Sequence, residues 1–428
     1  MTAIVIANMI GTGVFTSLGF QLLDIRSGFV LMLLWALGGL IALCGAMTYA
    51  ELGAAMPRSG GEYNFLSRLY HPAAGFVSGW VSATIGFAAP TALAAMTFAA
   101  YTMSSLAAES SVAVEKTIAA ALVITLTLVH SGSRRRSGAL QATFTVLKIA
   151  VILGFCVSAL IFADELQPVR LLPQSSDIEV LSSSAFAISL IYVSYAYTGW
   201  NAATYLSSEL ENPQRNLPRI LFIGTAAVAL LYVALNYVFL RVAPMDALSG
   251  QLQVGFIAAE FAFGEWGGRF AGLGLALLLF STVSAMTIAG PRVMQVIGED
   301  FAPLRRLAAT NADGLPHTAI MTQSGFALLF IATGSFESIL VFAGFTLALN
   351  SFATVAGIFR LRYSLGPMPR PYRTFGYPVT PMIYLLIMGW TLAFVLFSRP
   401  TEALFGVALI ASGVVIYWLA SRENTRDG

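Results

Sequence analysis

The sequence has 428 residues, of which 57% are hydrophobic and only 10% are charged. Soluble proteins carry about 25% charged residues, so this composition excludes an ordinary soluble domain and predicts a polytopic membrane protein. The net charge of +2 gives no reason to expect a nucleic acid as partner. Cys44 and Cys156 both lie in apolar runs and the three histidines are far apart, so no disulfide, metal cluster or cofactor is expected.

Apolar runs along the chain predict twelve membrane-spanning helices of about 20 residues each. In chain order they lie near residues 1–21, 28–55, 73–104, 114–131, 138–163, 182–208, 218–240, 267–297, 317–334, 337–359, 379–398 and 401–420. Only ten residues precede Gly11. They would form about 15 Å of helix, which is half a bilayer, so a late or truncated start is one interpretation.

The charged residues of the loops predict an orientation. Of the 23 Lys and Arg residues, sixteen fall in one set of alternate loops, six fall in the other set, and Lys148 lies within a span. Because basic residues are enriched in cytoplasmic loops, both termini are expected on the cytoplasmic side of the membrane.

The first predicted span carries Gly11, Thr12 and Gly13 near its middle. Each glycine costs about 1 kcal/mol of helix stability relative to alanine, and a break there would free backbone N–H and C=O groups at membrane depth. A half-helix that begins near Val14 would direct its N–H groups and the positive end of its dipole at an anionic ligand. The alternative is a close contact between packed helices, where small residues are common.

The sixth predicted span contains Thr198 and Gly199 in the positions that Thr12 and Gly13 have in the first span. Paired interruptions in two halves of a chain are typical of transporters built from inverted repeats, whose substrates bind at the breaks. The pattern predicts two repeats of five spans and two further helices. Their residues are 1–163, 182–359 and 379–420.

Six segments of the sequence match a known family in their order along the chain. They are Ile10–Phe15, Tyr49–Gly53 with Pro57–Tyr63, Pro90–Ala94, Tyr197–Asn201, Glu209–Pro218 and Pro369–Arg373. On these segments the sequence resembles the amino acid/polyamine/organocation (APC) permeases, most closely the branch of the L-type amino-acid transporters and their bacterial relatives. The resemblance implies an all-α integral membrane protein of about 12 transmembrane helices, in the cytoplasmic membrane of a bacterium. The implied fold is the LeuT-type five-plus-five inverted repeat with discontinuous helices 1 and 6, plus two C-terminal helices.

The same resemblance implies where an amino acid would bind. Its carboxylate would contact backbone N–H groups at the first break, and its ammonium would contact carbonyl groups freed at the second. The residues concerned are Gly11, Thr12 and Gly13 for the carboxylate and Tyr195, Ala196 and Thr198 for the ammonium. Both assignments agree with the charge preference of half-helix ends.

Four further side chains are placed at this site by the resemblance. Tyr195 stands where the family usually has a phenylalanine that closes over the substrate. Trp200 and Asn201 would lie beside the pocket, and Asn350 would reach it from the tenth span. Ordinary packing is the alternative for Trp200, and a hydrogen bond to a neighbouring helix is the alternative for Asn350.

Lys148 lies within the fifth predicted span, where a charge costs at least about 2.5 kcal/mol and indicates a functional residue. It is ten residues from the end of the span, about 15 Å, which a lysine side chain cannot cover by snorkelling. By the resemblance, its ammonium occupies the place of a sodium ion in related transporters. It would bond carbonyl groups near Gly11 and hydroxyl groups of the eighth span, for which Ser281, Thr282 and Ser284 are the candidates.

These features predict a sodium-independent secondary transporter of amino acids, coupled to protons or working as an exchanger. Neutral substrates are favoured because no acidic residue faces a plausible pocket from mid-span. The alternatives are a non-transporting amino-acid sensor and a permease for polyamines or cationic amino acids; an enzyme is not expected, since the spans show no catalytic pair. Eukaryotic members of the family that the sequence resembles are tethered to a glycoprotein partner by a cysteine in the loop after the third span. The corresponding loop, Ser105–Lys116, has no cysteine, so the resemblance gives no reason to expect a disulfide-linked partner chain.

Overall fold

Apolar segments in a bilayer must satisfy their own backbone polar groups, which favours helices. The computed structural model describes residues 2–108, 111–132, 137–311, 314–364 and 368–424. Four of the basic residues counted above, at positions 134–136 and 426, lie outside these ranges. Within them, every regular element is a helix.

The α-helices are numbered in chain order. They are α1 (Thr2–Met9), α2 (Gly13–Gln21), α3 (Gly28–Ala55), α4 (Glu62–Leu69), α5 (Pro72–Val81), α6 (Ala88–Ser105), α7 (Val112–Gly132), α8 (Ser137–Phe162), α9 (Ser175–Leu181), α10 (Ser184–Ala196), α11 (Pro213–Val242), α12 (Met245–Leu248), α13 (Val254–Ala289), α14 (Pro291–Asp300), α15 (His317–Thr333), α16 (Phe336–Tyr363), α17 (Val379–Ser398) and α18 (Pro400–Asn424). A π-helical turn, Ser82–Gly86, joins α5 to α6, and two 3₁₀ segments occupy Ala202–Glu209 and Ala302–Leu307.

Nine helices in the described part of the chain are long and apolar enough to cross a membrane, or ten if the bent pair α9 and α10 counts as one span. The protein is therefore an integral membrane protein of the predicted all-α class. The broken first helix and the 17-residue α15 are shorter than these nine. The full count of twelve and the division into inverted repeats stay predictions.

The first helix is interrupted where the glycines predict it. Helix α1 ends at Met9 and α2 begins at Gly13, one residue before the predicted start. A methyl group on Gly13 would lie 2.5 Å from Cα of Ala196, so only glycine allows this approach to α10.

The sixth segment is broken as well, but its second half is not an α-helix. Helix α10 ends at Ala196, and after a turn the chain continues as the 3₁₀ segment Ala202–Glu209. Gly199 in the turn has a φ of +97°, and a methyl group there would meet the backbone of Asn8 at 2.8 Å. Each break therefore packs against the other through a glycine.

The eighth predicted span is preceded by a helical segment that was not predicted. Helix α13 begins at Val254, and its part after Gly264 starts close to the predicted residue 267. Its axis is interrupted at Gly264, which has φ +73° and ψ −179°. The hydropathy pattern placed the start after this glycine and missed the helical turns that precede it.

The core surrounds the two breaks. Trp35 of α3, Tyr197 of the sixth segment and Tyr232 of α11 form a fully buried aromatic cluster, with ring centroids 5.0–6.2 Å apart. The Tyr197 hydroxyl donates to the Trp35 carbonyl at 3.0 Å. This cluster fixes α10 and α11 against α3.

A buried ion pair ties the end of α3 to α16 and to the loop before α17. The Glu51 carboxylate accepts from Arg362 Nε at 2.9 Å and Nη2 at 2.6 Å, and from the Thr374 N–H at 2.6 Å. The Glu51 side chain is fully buried and that of Arg362 is 16% exposed. Three donors satisfy the carboxylate, so this contact fixes three elements in one arrangement.

We expect Arg362→Met to lower stability by about 3–5 kcal/mol, because it leaves the Glu51 carboxylate buried without its cation. The matched control is Arg26→Met, whose partner Asp246 is 93% exposed. An exposed pair contributes at most about 1 kcal/mol. The measurement is the thermal unfolding midpoint of each purified variant in detergent; an equal shift in both variants would contradict the expectation.

Candidate functional site

A cavity of about 100 Å³ lies between the two broken helices. All nine residues predicted for substrate binding line it. They are Gly11, Thr12, Gly13, Tyr195, Ala196, Thr198, Trp200, Asn201 and Asn350. The structure thus brings together residues from α2, α16 and both breaks.

The first break presents hydrogen-bond donors to this cavity, although not the three that were expected. The N–H of Gly11 donates to the Met9 carbonyl at 2.8 Å, and the N–H of Phe15 donates to the Thr12 carbonyl at 2.9 Å. The N–H groups of Thr12, Gly13 and Val14 have no backbone partner among the described residues. They form the open N-terminus of α2, which attracts anions.

The second break presents acceptors, and two of the three expected carbonyls, those of Ala196 and Thr198, are among them. The Tyr195 carbonyl already accepts from the Thr198 N–H at 2.9 Å and from the Thr198 hydroxyl at 2.7 Å. The carbonyls of Ala196, Tyr197 and Thr198 have no backbone partner in the described part of the chain. These oxygens at the end of α10 can accept from a cation.

Trp200 contributes to both packing and the cavity. It is 7% exposed, lines the cavity, and meets Tyr49 edge to face with ring centroids 4.6 Å apart. Gly45 of α3 faces its ring, since a methyl group on that glycine would lie 2.9 Å from the indole. Trp200 therefore packs against α3 and also lies beside the pocket, which are the two interpretations made from the sequence.

Lys148 lies where the resemblance implied. Its ammonium donates to the Ile10 carbonyl at 3.1 Å and to the Thr282 hydroxyl at 2.8 Å, and the residue is 4% exposed. It does not snorkel, because its charge is bonded between α8, the first break and α13. Thr282 also lines the cavity, so one hydroxyl separates the ammonium from the site.

The other two hydroxyls suggested for this contact point elsewhere. Ser284 is hydrogen-bonded to His130 Nε2 of α7 at 2.8 Å. Ser281 precedes Thr282 and is rotated from it by about 100° around the helix. Three candidates followed from the sequence because it does not determine the rotation of α13, and the structure selects Thr282.

Glu62 was missed as a member of this site. The sequence shows no acid in mid-span, but Glu62 enters from α4, lines the cavity and is 2% exposed. Tyr205 of the 3₁₀ segment lines it too. The expectation concerned acids in mid-span only, so it did not foresee an acid that reaches the cavity from the start of α4. The glycine pair Gly60–Gly61 directly before Glu62 is the signal that could have identified it.

The family follows from comparison with known proteins. A family model described as amino acid permease matches residues 1–421. The chain belongs to the amino acid permease family. The predicted membership of the APC group is confirmed.

The chain is similar along 97% of its length to several transporters. It is 28% identical to the large neutral amino acids transporter small subunit 2 of Homo sapiens, covering 78% of that protein. It is 27% identical to the b(0,+)-type amino acid transporter 1 of Mus musculus, covering 85%. It is also 27% identical to the Asc-type amino acid transporter 1 of Rattus norvegicus, covering 79%. These relatives are transporters by name, and none is named as an enzyme.

We expect Gly13→Ala to weaken substrate binding at least tenfold, because its methyl group would lie 2.5 Å from Cα of Ala196 and overpacking costs about 1–3 kcal/mol. The comparison variant is Gly11→Ala. Its methyl group would have the Met9 carbonyl oxygen at 3.9 Å as nearest neighbour, so the loss should be smaller. Equilibrium binding of radiolabelled amino acids to the purified variants measures both. Equal losses of affinity in the two variants would show that the contact between Gly13 and Ala196 is not what determines substrate binding.

Proposed function

We propose that this permease moves neutral amino acids across the membrane by alternating access, without sodium. The observation that carries the proposal is one cavity with unpaired N–H donors at the first break and unpaired carbonyls at the second. A zwitterion supplies a carboxylate for the first and an ammonium for the second. A polyamine lacks the carboxylate, which disfavours it as substrate.

The sodium-independent mode is supported by the contacts of Lys148. Its ammonium already bonds the Ile10 carbonyl and the Thr282 hydroxyl, which are the kinds of oxygen ligand that a sodium ion would use. A cation fixed to the protein therefore takes the place of a cation from solution. Coupling to protons and obligatory exchange both remain compatible with this contact, and imposed gradients distinguish them.

We further propose that both termini are cytoplasmic, as the loop charges predict, and that the protein resides in a bacterial cytoplasmic membrane. The side of the cavity bounded by α4 and the 3₁₀ segment Ala202–Glu209 is then the cytoplasmic side. A disulfide-linked partner is not part of the proposal, because both cysteines, Cys44 and Cys156, are buried.

A non-transporting sensor is the competing function. Solute flux in proteoliposomes separates the two, since a sensor would bind an amino acid and carry none across. Competition by each of the twenty amino acids against uptake of a radiolabelled one would then define the substrate.

Replacing sodium by choline should leave the initial uptake rate unchanged, and Lys148→Ala should abolish uptake. The physical reason is that Lys148 joins α8, the first break and α13. The chain has one other lysine, Lys116, which caps carbonyls of Ala332 and Gly334. Lys116→Ala is therefore the matched control and should retain uptake. Uptake that follows an imposed sodium gradient would overturn the assignment of Lys148.

An imposed proton gradient distinguishes the two modes of coupling. Accumulation driven by an inward proton gradient would establish symport, and uptake that requires an internal amino acid would establish exchange. In either mode, proteoliposomes without any amino acid flux would refute the proposed function.

A substrate analogue without the α-ammonium should bind at least tenfold more weakly than its parent amino acid. Loss of the α-ammonium would leave the carbonyls of Ala196 and Thr198 without a donor, at a cost of about 1–3 kcal/mol. Competition by the des-amino acid against the labelled parent measures this. Equal affinities would exclude the second break from ammonium binding.

A further inference from the structure

Glu62 is a buried carboxylate at one end of the cavity. It is the first residue of α4, and it lies opposite the 3₁₀ segment Ala202–Glu209. The two residues before it, Gly60 and Gly61, have φ of +114° and +52°. These left-handed conformations turn the chain sharply after α3 and deliver the side chain to the cavity.

Three neutral donors bind this carboxylate. Tyr49 of α3 donates its hydroxyl to Oε1 at 3.1 Å, and the Asn201 amide donates to the same oxygen. Tyr205 donates its hydroxyl to Oε2 at 2.5 Å. Within the described part of the chain, no basic side chain forms a salt bridge with Glu62, and hydrogen bonds from these neutral groups hold the carboxylate. Such charge-assisted bonds are about twice as strong as neutral ones.

The backbone beside Glu62 fits closely against the same segment. A methyl group on Gly61 would lie 2.8 Å from Cε1 of Tyr205 and 3.1 Å from the Thr204 hydroxyl. The loop can therefore lie flat on the Tyr205 ring only because residue 61 is glycine. Side-chain and backbone contacts independently join α4 to the 3₁₀ segment.

Glu62 also fixes the orientation of a residue that faces the substrate. The Asn201 amide turns its Nδ2 toward Glu62 and donates to Oε1. Asn201 also lines the cavity, so one side chain both contacts Glu62 and borders the site. Glu62 is in this sense a positioning residue for the site.

We propose that Glu62 and its hydrogen bonds from Tyr49, Asn201 and Tyr205, together called the latch, keep the cavity closed on its cytoplasmic side. That side of the cavity, bounded by α4 and the 3₁₀ segment, is called the floor. This inference rests on the proposed transport function and its orientation. Release of a substrate to the cytoplasm requires the 3₁₀ segment to separate from α3 and α4. The bonds from Asn201 and Tyr205 to Glu62 must break in that step, and they re-form when the floor closes.

The test measures access to the cavity from the cytoplasm. Met286 lines the cavity from α13, an element that carries neither Glu62 nor any of its three donors, so Met286→Cys serves as reporter after both native cysteines are replaced by alanine. A membrane-impermeant thiol reagent is applied to inside-out vesicles and, separately, to right-side-out vesicles. The rate of labelling is compared between the reporter protein, Glu62→Gln and Tyr205→Phe.

We expect both variants to label about tenfold faster from the cytoplasmic side, since a bond to a charged group is worth enough to shift an equilibrium by that factor. The matched control is Tyr101→Phe. It removes the hydroxyl of a fully buried tyrosine, which donates to the Phe15 carbonyl of α2 at 3.0 Å and accepts from the Gly255 N–H of α13 at 2.9 Å, and so has its partners outside α4 and the 3₁₀ segment. Its labelling rate from the cytoplasmic side should equal that of the reporter protein.

Unchanged labelling in folded Glu62→Gln and Tyr205→Phe would overturn the latch. If Glu62→Gln fails to fold, Tyr205→Phe decides alone, because it removes one donor and keeps the carboxylate. The proposed function fails separately, when the unmodified protein shows no amino-acid flux in proteoliposomes. Faster labelling in the two variants would support the latch in that case as well.

Discussion

The structure depends on the contact between its two broken helices. Gly13 lies against Ala196, and Gly199 lies against the backbone of Asn8. At membrane depth, an interrupted backbone is tolerated only where protein or a polar cavity satisfies it. Because each break packs directly on the other, the two interruptions share one polar centre instead of exposing two to lipid. The glycines make this contact possible, since a methyl group at either position would collide with the opposite chain.

In the first segment, side chains from neighbouring helices bond several backbone carbonyls but leave N–H groups open. Tyr232 of α11 donates to the Met9 carbonyl at 2.5 Å, and Lys148 of α8 donates to the Ile10 carbonyl. Tyr101 of α6 donates to the Phe15 carbonyl. Three surrounding helices thus bond the carbonyls of this segment, while N–H groups at the start of α2 are left open. The surrounding helices therefore give the first break a donor character, which suits an anion.

Much of this site could be predicted from the sequence, because its determinants are local. The Gly-Thr-Gly run in the first span and the Thr-Gly pair in the sixth weaken the helix locally, and a lysine ten residues inside a span must find buried acceptors. The missed features depend on tertiary geometry. The choice of Thr282 over Ser284 depends on the rotation of α13, and the reach of Glu62 depends on left-handed turns at Gly60 and Gly61. The start of α13 at Val254 was hidden by the kink at Gly264.

The charges around the cavity favour a substrate without net charge. The open N-terminus of α2 and the buried ammonium of Lys148 lie on the side of the first break. The carbonyls at the end of α10 and the carboxylate of Glu62 lie on the side of the second. A zwitterion places opposite charge against each side, whereas a cationic side chain would bring one further buried charge into a cavity whose carboxylate is already bonded by Tyr49, Asn201 and Tyr205. Because an unpaired buried charge costs several kcal/mol, the presence of Glu62 alone does not convert the site into one for cationic amino acids.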